Sequence, residues 1–159
     1  MQNKKQRKIN KRALSRLMAV QIFYQKDFLS DAKKIDEIKD DVIENYALTF
    51  EDEVTSYRQE IDEDFLNELV SGVALAAASI DEEIRAQLKN QNDISALDSV
   101  LVQILRCAVF ELKFYPSKPS KALISEYVDI AAAFLPSKKI GFVNGMLENL
   151  SKKLQTKNE

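Results

Sequence analysis

The chain has 159 residues, 45% of them hydrophobic, which is enough for one domain with a substantial core and excludes disorder throughout. Only 3 Gly, 3 Pro and 1 Cys occur, too little turn chemistry for an all-β sandwich or repeated βαβ crossovers and too few thiols for an internal disulfide, so the expected fold is all-α. The formal net charge of -2 averages a basic N-terminus against an acidic belt from Asp27 to Glu68, so the overall charge is a poor guide to partners.

In chain order, Lys4, Lys5, Arg7, Lys8, Lys11, Arg12 and Arg16 all precede the first acidic residue, which is the electrostatic footprint of a polyanion-binding arm. Residues 1–9 are expected to form a flexible basic arm, 10–154 a single helical domain and 155–159 a C-terminal tail. The first helix is expected over Asn10 to Leu29, with Leu14, Leu17, Met18 and Ile22 on one face; Lys8, Arg12 and Arg16 share an edge at i, i+4 spacing and Tyr24 lies on the flank. A second, acidic helix spans Ile35 to Tyr46, followed by a polar stretch from Thr49 to Glu60. The third covers Asp62 to Ala78, with Asp62 to Asp64 as favourable charge in its first turn and Gly72 admitting a close neighbour. Ser79 and Glu82 have the spacing of a capping box that would restart a fourth helix.

The fifth helix, Ala96 to Phe114, is apolar on most faces and belongs at the centre of a bundle. Its Arg106 needs a carboxylate, for which Glu126 or Asp129 on the next helix, Pro119 to Leu135, is available. The seventh begins at Ser137, expected to cap it after the break at Pro136, and continues through Val143, Leu147, Leu150 and Leu154. Gly145 inside that pattern reads as close helix packing. Lys138 and Lys139 in the first turn, opposed to the helix dipole, would form a phosphate clamp.

A catalytic site is hard to assemble. The chain has no His, Cys107 is flanked by Ile104, Leu105, Ala108 and Val109, and there is no Gly-rich phosphate loop, so no enzyme activity, cofactor or metal site is expected.

Five segments together carry a family resemblance: Ala19-Val20-Gln21-Ile22-Phe23-Tyr24 after the basic arm, Leu69-Val70-Ser71-Gly72-Val73, Ile104 to Leu112, Ile124-Ser125-Glu126, and Phe142-Val143-Asn144-Gly145. In order and spacing the chain resembles the transcription antitermination factor NusB family from about Lys11 to Leu150. The resemblance implies two packed three-helix subdomains, no catalysis, and binding to the boxA element of ribosomal RNA transcripts. It also implies ribosomal protein NusE as partner and a place in the transcribing RNA polymerase complex with other Nus factors.

The RNA-binding residues so implied are Lys5, Arg7, Lys8, Lys11, Arg12 and Arg16 on the basic start, with Tyr24 and Phe142 as aromatics at the RNA surface; Lys138 and Lys139 join them from the charge pattern. This division suits boxA-type single-stranded RNA, whose unpaired bases are read by stacking while cations meet phosphates. Asn144 is expected to tie down a neighbouring segment. The chain departs from the family pattern at Ser137, Lys139 and Gly141, and at Leu101, where many members carry an acidic residue directed at NusE. Two alternatives are a non-catalytic protein-interaction module and a relative of the N-terminal domain of ribosomal RNA cytosine methyltransferases, whose following catalytic domain is not in this sequence.

Overall fold

The structure is a computed structural model that describes residues 10–29, 32–49, 61–88, 93–116 and 118–158. Among them are seven α-helices and no strand: α1 (Lys11–Leu29), α2 (Ile35–Thr49), α3 (Glu63–Leu75), α4 (Ala77–Gln87), α5 (Ser99–Phe114), α6 (Ser120–Phe134) and α7 (Ser137–Asn158), with a 3-10 turn at Ile94–Ala96. Two compact units result, Met1–Glu68 and Leu69–Glu159, the boundary falling within α3. The last helix continues to Asn158, into the stretch expected to be a tail. The polar stretch after α2 lies, from residue 50 to 60, outside the described residues.

In the first unit α1 and α2 pack together. Met18, Ala19, Ile22, Ile38, Val42 and Ile43 are almost fully buried, as their helical spacing requires. Asn10 caps α1, its Oδ1 accepting from the backbone N–H of Arg12 at 3.0 Å and of Ala13 at 3.3 Å. Asp62 caps α3 in the same way, accepting from Phe65 N–H at 3.0 Å, while Glu63 and Asp64 occupy the first turn. Ser15 links the two helix starts, its Oγ accepting from Asp62 N–H at 3.0 Å.

In the second unit α5 is the central helix: Leu101 to Leu105 and Cys107 to Glu111 are all buried, and α4, α6 and α7 pack around it. Gly72 makes that packing possible for α3. A Cβ there would lie 2.2 Å from Phe110 Cζ, so any larger residue would displace the ring. Gly145 behaves otherwise. A Cβ at Gly145 would meet nothing within 4 Å, so it is not a packing glycine as its place in the apolar pattern implied.

Within the second unit, helix starts also differ from expectation. The break between α3 and α4 falls at Ala76 rather than at Ser79, with no side-chain cap; Ser79 Oγ instead accepts from Lys113 Nζ at 3.0 Å. The fifth helix starts at Ser99, because Asp93 nucleates a separate 3-10 turn by accepting from Ser95 N–H at 3.0 Å. Ser137 is the first residue of α7 rather than its cap, and the carbonyl of Pro136 takes the N–H groups of Lys139 and Ile140 at 2.9 and 3.2 Å.

Candidate nucleic-acid interface

Lys5, Arg7 and Lys8 lie outside the described residues. Of the expected cations on α1, Lys11 is exposed, Arg12 is half-buried and Arg16 is fully buried. Phe65 explains the gradient. The Arg12 guanidinium sits 4.6 Å from the centre of its ring and that of Arg16 5.1 Å, while Arg12 Nε also approaches Asp62 at 3.5 Å. Of the edge that the i, i+4 spacing implied, Lys8 lies outside the described residues, Arg12 lies near the surface and Arg16, one turn further on, points into the unit. Arg16, with no exposed surface, is placed to hold α1 against α3 rather than to meet a phosphate. The sequence signal for this was Phe65 beside the Asp62 cap, which spacing within α1 alone does not reveal. Tyr24, 39% exposed, presents its ring at the surface as a stacking residue must.

The second unit holds the remaining expected residues. Phe142 is 40% exposed on the second turn of α7. Lys138 is exposed, whereas Lys139 Nζ is bound to the carboxylate of Asp98, the residue before α5. Asp98 thus neutralises half of the expected clamp and relieves part of its conflict with the helix dipole. Leu101, expected to face a protein partner, is only 2% exposed and belongs to the core of the unit. Its apolar side chain packs inward with the other core residues of the unit, so the position expected to face a partner is not at the surface of this structure. Asn144 is half-buried beside a groove between α6 and α7 that Ser125 and Glu148 also line.

Side-chain pairs fix the helices that carry these groups. Arg106 is held by Asp81 on α4, Nε to Oδ1 at 2.8 Å and Nη2 to Oδ2 at 2.9 Å, a carboxylate on the preceding side of α5 that the sequence reading did not name. Such a two-point bond is the geometry in which Arg and a carboxylate bind best. Glu126 on α6 pairs with Lys118 at 3.7 Å. Buried Glu83 on α4 receives Lys113 of α5 at 3.2 Å and Lys153 of α7 at 3.1 Å. Burial alone would raise its pKa, but hydrogen bonds from Lys153 and Lys113 and their charges outweigh burial and hold the carboxyl below its ordinary value. Tyr127 donates a buried hydrogen bond to Glu111, joining α6 to α5. Burial, then the charge of Glu111, pushes the Cys107 thiol far up, so it packs as a small hydrophobe.

One concave feature adjoins Phe142. A groove of 610 Å³ lies beside the start of α7, where Phe142, apolar Leu88, Leu97 and Met146, the carboxylate of Asp93 and the amide of Asn149 line it.

By fold this is an all-α protein of helical units, with cations and aromatic rings displayed on the helices that begin and end it. The sequence pattern of the NusB family matches residues 13–152. A transcription antitermination protein NusB of Rickettsia akari (strain Hartford) is 33% identical over 147 residues, covering 91% of this chain and 94% of its own. One from a Bradyrhizobium species is 34% identical over 146 residues, covering 92% and 84%. The chain belongs to the NusB family. Its fold is that of T. maritima NusB, at a TM-score of 0.71 and 22% identity over 89% of this chain and 90% of the other. A crystal structure of antitermination factors NusB and NusE in complex with dsRNA matches with a TM-score of 0.71 and 25% identity, covering 92% of this chain and 99% of that one.

Proposed function

We propose that this protein is a non-catalytic transcription antitermination factor that binds the boxA element of ribosomal RNA transcripts together with ribosomal protein NusE, in the cytoplasm and within the transcribing RNA polymerase complex. The observation that carries the reading is family membership across residues 13–152, joined to a likeness over 92% of the chain to a structure of NusB with NusE and RNA. Residues 10–154 would act as one domain and residues 1–9 as a basic arm.

The geometry supports a division of labour. Lys11, Arg12 and Lys138, with the arm residues Lys5, Arg7 and Lys8, supply cationic contacts to phosphates that carry no sequence information. Tyr24 and Phe142 supply faces on which unpaired bases stack. Arg16 and Lys139 act indirectly, Arg16 by fixing α1 on Phe65 and Lys139 by tying α7 to Asp98. With Leu101 inside, the NusE contact falls on other residues. No helix among the described residues is long and apolar enough to cross a membrane.

Mixing the chain with its cognate NusE and following both by gel filtration and RNA mobility shift tests the assignment. A stable heterodimer that retains RNA more tightly than either protein alone is the expected result. Separate elution, with RNA retained by neither protein, would remove the basis of the assignment.

A further inference from the structure

α6 and α7 are joined by only Leu135 and Pro136 and pack along each other, so they run antiparallel and their residues meet in a fixed register. On the flank of this pair lies a groove of 530 Å³, a size within the roughly 300–1,000 Å³ range of small-molecule sites. Counting outward from the turn, Val128 falls across from Asn144 and Ile124 from Glu148, while Ser120 and Lys121 at the start of α6 fall across from Ser151 and Lys152. The α7 members recur at i, i+4, i+7 and i+8 and so form one stripe. Lys138 and Phe142 lie on the opposite flank of the buried row Val143, Leu147 and Leu150, so the groove is separate from the face proposed for RNA.

The two ends of the groove differ in charge. At one end Lys121 and Lys152, one from each helix, are both exposed. Beside them α6 begins behind Pro119, which supplies no side-chain cap, and the first turn holds no acidic residue. The first N–H groups of a helix have no partner within it and carry the positive end of its dipole, so a lysine there is opposed by the helix unless an anion joins them. Ser151 is an independent sign of a ligand at this end. It is only 7% exposed, its hydroxyl has no hydrogen-bond partner among the described residues, and it lines the groove. A hydroxyl so far out of water costs stability while it stays unbonded, and an acceptor bound in the groove would satisfy it.

Towards the other end the lining changes. Ile124 and Val128 form an apolar floor, Ser125 adds a hydroxyl, and Glu148 and Asn144 offer acceptors. Among the residues that line the groove there is no aromatic ring on which a base could stack. A phosphomonoester carries close to two negative charges near neutral pH and so matches two lysines, where a carboxylate would match one.

We infer that this groove binds a small phosphorylated molecule. Its phosphate is held at the start of α6 by the N–H groups there and by Lys121, Lys152 and Ser151, and its hydroxyl or amine groups by Glu148 and Asn144. Repulsion by the Glu148 carboxylate keeps the phosphate at the lysine end and fixes the direction in which the ligand lies. This site goes beyond the RNA reading and does not depend on it.

The test is an amide NMR titration of the full chain with inorganic phosphate and with glycerol 3-phosphate, at constant ionic strength. Both should shift the signals of Ser120, Lys121 and Ser151 saturably, glycerol 3-phosphate binding the more tightly, while glycerol alone gives no shift. Ser151→Ala and Lys121→Gln should each weaken glycerol 3-phosphate binding about 10-fold, the scale of one hydrogen bond to a charged group. Neither should lower the melting temperature, since one removes an unbonded buried hydroxyl and the other a cation at a helix start. Should Ser151→Ala unfold, Lys152→Gln takes its place with a similar expected loss. Shifts that never saturate, or affinities that the variants leave unchanged, would overturn the inference. So would an unaltered chain that ignores glycerol 3-phosphate but loses boxA-type RNA on Lys121→Gln, which would make the groove part of the RNA path.

Discussion

At the scale of single residues, exposure separates side chains that can meet a ligand from those of the same type that cannot. Tyr24 and Tyr127 are both tyrosines on helices, but Tyr24 is 39% exposed and Tyr127 has no exposed surface. Tyr24→Ala should therefore weaken boxA-type RNA binding by about 1–3 kcal/mol, the scale of one lost stacking contact, with the melting transition nearly unchanged. Titration by fluorescence anisotropy beside a circular dichroism melt checks both halves; a large drop in melting temperature would make Tyr24 a packing residue. Glu83 illustrates a structural charge. Its folded pKa is held below the ordinary value of 4.5, so its contribution to stability is complete above about pH 4.5 and is lost as pH falls through the folded value. Glu83→Gln should cost about 1–3 kcal/mol near neutral pH, because both lysine partners remain partly in water. Chemical denaturation of both proteins across pH should show that difference shrinking below pH 4.5. A difference independent of pH would mean that shape, not charge, sets the cost.

At the scale of elements, much of the helical order was legible because it rests on local chemistry. Apolar residues at helical spacing marked α1 and α5, Asp62 marked the start of α3 and Pro119 that of α6. What was not legible depends on neighbours distant in sequence. Ser79 and Glu82 have capping-box spacing, but helix already continues around them from Ala77, and Ser79 serves Lys113, 34 residues away. The pairing of Arg106 with Asp81 and that of Arg16 with Phe65 were not foreseen, because a pairing between helices leaves no mark on the spacing within either. Gly145 could not be told from Gly72 by pattern, since the same residue type serves close packing in one place and open space in the other.

The start of α7 shows the consequence for the site. Because Lys139 is bound to Asp98 and Lys138 is exposed, the two lysines should act differently. Lys138→Glu should weaken RNA binding most at low salt while raising helix stability by about 0.3–1 kcal/mol, as an acidic residue suits a helix N-terminus. Lys139→Ser should cost roughly 0.2–1 kcal/mol of stability through the lost surface pair and change RNA affinity less. Equal effects of the two substitutions on RNA affinity would restore the symmetric clamp that the sequence implied.

At the scale of the whole molecule, the segregated charge sets how the protein meets a polyanion. The acidic stretch from Asp27 to Glu68 disfavours a polyanion, leaving the basic start of the chain and the exposed Lys138 as the attractors for one. If about five cationic side chains meet phosphates, log K against log salt should have a slope of roughly -3.5, at about 0.7 per contact on single strands. Deleting Met1 to Arg7 should flatten that slope and weaken binding to every RNA sequence alike; an unchanged slope would make those residues a solubilising tail. Since phosphate contacts are indifferent to sequence, discrimination between RNAs has to come from contacts to bases, such as the stacking proposed for Tyr24 and Phe142. The most direct measurement is therefore the ratio of affinities for boxA-type and scrambled RNA of equal length, taken at physiological salt with cognate NusE present. Preference for the boxA-type sequence by about 10-fold or more, the scale of one well-read base, is the predicted result; equal affinity for both RNAs would contradict the account.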